Sequence, residues 1–135
     1  MSEAHTTAYV HLPLGFDAES YSERYRAGLE PDLTPYGFHH AKDYGFDVVL
    51  SRDLKIPALA RPRYLSRRLL GFDVIHALSN LRRIRKADII WTMTEPEAFA
   101  ISFLMWLRIA PRKPIVANAV WLMNRWKALR SWRRV

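Results

Sequence analysis

The chain has no cysteine, and it has no Asp or Glu beyond Glu97. The first absence excludes disulfide scaffolds and thiolate metal sites, and it fits a reducing compartment. The second leaves eight Lys or Arg between Ala98 and Val135 without a counter-charge, and these account for the whole net charge of +8. A long hydrophobic run is also missing. The longest apolar stretch, Ala98–Ala110, is broken by Ser102 and Arg108, whereas a membrane-spanning helix needs about 20 apolar residues. The polar start Met1-Ser-Glu-Ala-His-Thr-Thr lacks the basic and apolar regions of a secretory signal. There is no Gly-x-x-x-x-Gly-Lys-Ser/Thr and no Gly-x-Gly-x-x-Gly, so no phosphate cradle of the Walker or dinucleotide type is read. Gly-x-Ser-x-Gly and His-Glu-x-x-His are absent too.

What is present is the composition of one globular domain. The 135 residues are 50% hydrophobic and 25% charged, enough for a core. Ala8–Leu12, Phe46–Ser51, Asp88–Met93 and Pro114–Val120 are short apolar runs that read as strands. Between them lie helical patterns. Asp17 is a candidate cap for a helix to about Ala27, with Tyr21, Tyr25 and Leu29 on one face. Thr34-Pro35 opens a short helix to Tyr44. Arg52–Pro62 reads as irregular, followed by a basic patch from Arg61 to Arg68. Phe72–Lys86 reads as one amphipathic helix with Val74, Leu78, Leu81 and Ile84 as its apolar stripe. Thr94-Glu95-Pro96-Glu97 opens the next helix, with Thr94 as its cap.

Strands alternating with helices imply an α/β fold, a Rossmann-like parallel sheet flanked by helices. Right-handed crossovers then place all strand C-termini on one edge, where such folds bind ligands. The segments just after the strands are therefore the functional candidates: Pro13–Phe16, Ser51–Asp53, Thr94–Glu97 and Trp121–Asn124. His11 lies on or beside the end of the first strand, where an imidazole serves either as a base or as a core residue. Gly15 and Phe16 form a loop that is either a ligand-approaching turn or a simple tight one. Thr94 and Glu95 can bind a hydroxyl or phosphate through free helical N–H groups, or act as caps alone. Adjacent His39 and His40 diverge by roughly 100° on a helix, so no metal site is expected.

The C-terminal segment combines cations with four of the five Trp, at 106, 121, 126 and 132. As a helix, Trp121, Trp126 and Trp132 share an apolar arc, with Lys127, Arg130 and Arg134 opposite and Arg133 beside it. This is the pattern of a helix lying in a membrane interface, or of a core-facing helix with solvated cations.

Three stretches, Pro35–Ser51, Lys86–Glu97 and Pro114–Trp126, together resemble the N-terminal half of a family-4-like glycosyltransferase of the two-domain GT-B fold. The resemblance runs from about Ala8 to the end. It implies an acceptor-side Rossmann-like domain and transfer of sugar from a nucleotide-sugar donor to a saccharide or lipid-linked acceptor. The setting would be polysaccharide biosynthesis at the cytoplasmic face of a membrane. In that family a C-terminal domain holds the donor through paired glutamates. Residues 1–135 contain no such domain, so the chain is expected to be an incomplete N-terminal half, inactive in transfer alone. On this reading His11 or Glu95 deprotonates the acceptor hydroxyl, and Gly15, Phe16, Thr94 and Trp121 contact the substrate. Trp126, Lys127, Arg130, Trp132, Arg133, Arg134 and the Arg61–Arg68 patch face the membrane or an anionic acceptor. No cofactor, metal or nucleic acid is expected. The alternative is a non-enzymatic basic α/β module that binds nucleic acid or an anionic membrane surface, which a pI near 10.2 permits.

Overall fold

Ala8, Tyr9 and Val10 are fully buried because β1 (Thr6–His11) lies inside a four-stranded sheet. The structure is a computed structural model and describes residues 5–119. β2 (Phe46–Leu50), β3 (Ile89–Thr92) and β4 (Ile115–Ala117) complete the sheet in the order β2-β1-β3-β4. Every pairing is parallel. The fold is therefore α/β and Rossmann-like. The chain passes from β1 outward to β2, then returns across β1 to place β3 on its other side. That reversal makes a crevice between the C-terminal ends of β1 and β3. In this register His11 lies opposite Thr92.

Side chains alternate between the two faces of the sheet. Tyr9 and Ile90 point to one face and join Val74, Ala77, Ile84, Ala100, Ile101 and Leu104 in the main core. These come from α3 (Val74–Ser79), α4 (Leu81–Lys86) and α5 (Glu95–Trp106). On the other face Trp91 packs against Phe46 and Phe38, while Val116 on the edge strand is exposed. Among the described residues no helix is long and apolar enough to cross a membrane.

The local signals hold at several boundaries. Pro96 sits in the first turn of α5, where its missing N–H costs no hydrogen bond. Gly71 ends α2 (Ala60–Leu70) with φ 87°, a conformation that L side chains rarely adopt.

Five expectations are corrected. The single helix over Phe72–Lys86 is two helices, broken at Asn80. The Asn80 amide accepts from Arg52 N–H at 2.9 Å and donates to Arg52 C=O at 3.0 Å, and that tie outweighs helical continuity. Leu78 consequently leaves the apolar stripe and is exposed. The stretch Arg52–Pro62, read as irregular, ends in helix: a 3-10 turn over Pro57–Leu59 leads into α2, which begins at Ala60 and carries the basic patch. Tyr21, Tyr25 and Leu29 do not share one helical face, since α1 (Ala18–Arg26) ends before Leu29; α1 has no buried residue, and both Tyr25 and Leu29 are exposed. The Asp17 side chain does not cap α1. Its carboxylate accepts from Lys55 Nζ at 2.7 Å, and this bond holds its pKa below the usual carboxylate value. The Thr94 hydroxyl likewise does not cap α5 but donates to the Glu97 carboxylate. The helix expected over Pro35–Tyr44 is present in 3-10 form, with a kink at Tyr36 and Gly37.

Truncation inside the main core and truncation on the outer face of α2 should differ sharply. Leu104 is fully buried, whereas Leu65 is exposed. Leu104→Ala is expected to lower the unfolding free energy by about 3 kcal/mol, and Leu65→Ala by less than about 0.5 kcal/mol. Urea titration of both variants measures the difference.

Candidate functional site

Three of the segments that follow strands converge at the crevice. Leu12 N–H donates to Ser51 Oγ at 3.0 Å, and Gly15 N–H donates to Asp53 Oδ2 at 2.7 Å. Gly15 has φ +109°, and no heavy atom would lie within 4 Å of a Cβ there. The turn therefore needs glycine for its backbone and not for space. The fourth segment, Trp121–Asn124, lies outside the described residues.

His11 is the centre of the site and is only 1% exposed. Its Nδ1 is 2.7 Å from the Tyr9 hydroxyl, and its ring stacks on that of His76 with centroids 4.7 Å apart. His76 comes from α3, a full crossover away in sequence. Its Nε2–H donates to the Leu12 carbonyl at 3.1 Å and lies 3.9 Å from Asp53 Oδ1. With Nε2 carrying the proton, Nδ1 holds the lone pair. That Nδ1 is buried and has no hydrogen-bond partner among the described residues. The same holds for the Thr92 hydroxyl, in register with His11. Buried polar atoms without partners are rare in folded proteins and call for an explanation.

The electrostatics keep both imidazoles neutral. Burial pushes the pKa of His11 well below 6.5, and the neighbouring His76 adds to the effect. Burial also lowers His76, although the Leu12 carbonyl and the Asp53 charge oppose it. The Tyr9 hydroxyl is pushed well above 10.0 by burial, so it stays protonated.

A cavity of about 230 Å³ opens at this crevice, lined by His11, Leu14, Arg67, His76, Pro96 and Glu97 among others. Arg67 is held there by Asp73 at 3.0 Å. Of the expected site residues, His11 lines this cavity. Glu95 is buried at the start of α5 and is not part of this lining, whereas Glu97 is. Thr94 contacts Glu97. Phe16 turns toward a second cavity of about 770 Å³, against Tyr36 at 5.7 Å between centroids. Trp121, Trp126, Lys127, Arg130, Trp132, Arg133 and Arg134 lie outside the described residues. His76 and Asp53 were missed as a histidine partner and its carboxylate. Asp53 stood in a candidate segment, but His76 gave no signal because only the crossover through α3 brings it to β1.

Comparison with protein-family models, with curated proteins and with solved structures finds no match to this chain. The site is therefore read from its own geometry.

The expected electrostatic consequence is a loss of stability toward acid. An unfolded chain binds protons on these two histidines near pH 6.5, while the folded chain does not. Stability is then highest above that pH and falls as the pH drops through and below it. His11→Gln should make the fall shallower, as measured by urea unfolding between about pH 5 and pH 8.

Proposed function

We propose that this chain is the acceptor-binding part of a membrane-associated glycosyltransferase that takes an acceptor hydroxyl into the crevice beside His11. The observation that carries the reading is a neutral, buried imidazole beside two buried polar atoms without hydrogen-bond partners among the described residues, His76 Nδ1 and the Thr92 hydroxyl. A lone pair and a hydroxyl suit a ligand that both donates and accepts hydrogen bonds, as sugar hydroxyls do. The crevice is smaller than the roughly 300–1,000 Å³ of sites that enclose a whole drug-sized ligand. It takes one arm of a saccharide and leaves a nucleotide-sugar donor to a second domain, in line with the resemblance to the N-terminal half of a two-domain transferase.

In this mechanism His11 Nδ1–H donates to the Tyr9 oxygen and Nε2 presents the lone pair. Nε2 takes the acceptor's hydroxyl proton as that oxygen bonds to the anomeric carbon of the donor. The bond from that carbon to the nucleotide phosphate breaks, and the phosphate leaves with the electron pair. A base in this position contributes about a hundredfold or more.

A second feature supports the membrane setting. α2 carries Arg61, Tyr64, Leu65, Arg68 and Leu69 at helical spacing on one face. Tyr64 is 64%, Leu65 53% and Leu69 54% exposed, while Arg63 on the inner face is buried and donates to the Leu54 carbonyl at 2.8 Å. An outward apolar face edged by arginines matches an interfacial helix, and each cation near an anionic surface adds about 1 kcal/mol.

Two measurements test the reading. With the chain joined to a donor-binding domain, His11→Gln should cut sugar transfer by about a hundredfold or more; unchanged turnover removes His11 from the mechanism. The chain should co-sediment with vesicles containing anionic phospholipid, and Leu65→Asp should weaken this severalfold. Salt-sensitive retention on nucleic acid without vesicle binding would replace this reading with that of a nucleic-acid module.

A further inference from the structure

Away from the crevice, the 3-10 segment Pro35–Tyr44 and the loop that leads into it gather three groups of metal-ligating type. Asp32, His39 and His40 each offer one donor atom, and all three atoms lie within 4.8 Å of one another. The sequence expectation that the His39 and His40 rings diverge is corrected here. Their centroids are 4.0 Å apart, because both rings swing to the side of the Asp32 carboxylate.

The backbone is shaped to allow this. Tyr36 and Gly37 both take left-handed conformations, with φ 58° and 68°. A Cβ at Gly37 would meet Asp32 Oδ2 at 3.2 Å and the His40 ring at 3.4 Å. Only glycine therefore lets the carboxylate and the imidazole close over this turn without displacement. His39 is also oriented. Thr34 Oγ1 accepts from the His39 backbone N–H at 3.0 Å and bonds the ring Nδ1 at 3.1 Å. With Nδ1–H donating to that hydroxyl, Nε2 presents its lone pair 3.4 Å from Asp32 Oδ1. A ligating histidine is typically fixed by such a bond from its other ring nitrogen.

We propose that Asp32, His39 and His40 form a three-ligand binding site for zinc. Two imidazoles and one carboxylate are a borderline donor set that suits zinc, whereas calcium and magnesium prefer oxygen ligands throughout. Zinc bonds to nitrogen and oxygen are about 2.0–2.2 Å long, so the donor atoms must draw in by about 1 Å. The exposed His40 side chain has the freedom to do so. Three protein ligands leave a coordination position open. Asp32 and His40 also line the cavity of about 770 Å³, together with Phe16, Tyr21, Glu30 and Tyr36, so that position faces a space able to admit an oxygen-bearing ligand. The site stands on geometry separate from His11 and does not depend on the transferase reading.

The test is zinc binding by the purified chain after removal of metal with a chelator. Titration against a chromophoric chelator should give one zinc per chain, and cobalt should give visible ligand-field absorption. His40→Ala and Asp32→Asn should each weaken zinc binding at least about tenfold, while His5→Ala leaves it unchanged. Zinc should raise the melting temperature of the wild-type chain by mass action and leave that of His40→Ala, whose exposed side chain carries no core contact, where it is without metal. Absence of saturable one-to-one binding, or equal binding by folded His40→Ala, would overturn the proposal.

Discussion

The parallel pairing of β1 with β2 on one side and β3 on the other is the constraint on which the rest of this protein depends. It removes both edges of β1 from solvent and makes a fully buried Ala8-Tyr9-Val10 run affordable only in a strand flanked on both sides. It also forces the chain to reverse its direction across the sheet, which opens the crevice at the C-terminal ends of β1 and β3. His11 stands at that point because it is the last residue of β1. Ser51 and Asp53, just after β2, then tie the loop at Leu12 and Gly15 in place by hydrogen bonds to backbone N–H groups.

The chemistry of the crevice follows from burial. An imidazole removed from water loses the hydration that stabilises its charged form. Two stacked imidazoles also repel each other when charged, so His11 and His76 remain neutral together. The proximity of Asp53 opposes this at His76 without reversing it. Neutrality leaves each ring one donor and one acceptor nitrogen, which is what recognition or deprotonation of a hydroxyl requires. The same burial that lowers acid stability thus keeps a lone pair available at neutral pH.

Two other regions show side chains placed against simple expectation. In α2 an arginine faces inward and leucines face outward. Arg63 is buried with its guanidinium donating to the Leu54 carbonyl, and the exposed leucines mark a surface suited to an apolar contact. In the segment Asp32–His40 the backbone turns through two consecutive left-handed residues, a conformation that is unfavourable at Tyr36 and natural at Gly37. The result is a group of nitrogen and oxygen donors at the rim of the larger cavity.

The order of the four strands, the parallel sheet, the helix after β3 and the position of His11 near a strand end were legible in the sequence. Each rests on short-range pattern: apolar runs of strand length, glycine and proline at boundaries, and acidic residues at the start of α5. The break at Asn80, the helix over Ala60–Leu70 as an outward-facing element, and the meeting of His39 with His40 were not. The first is decided by bonds to Arg52, 28 residues away in sequence, and the others by which face each segment turns to the sheet or loop. The site divides in the same way. The sequence by itself determined that the segments after β1, β2 and β3 would lie along one sheet edge, because parallel strands with crossover helices place their C-termini together. Only the tertiary structure decided that His76 would stack on His11 and that Glu97 would reach the cavity while Glu95 would not. Those contacts depend on the angle at which α3 and α5 pack on the sheet, and helix packing is set by side chains distant in sequence.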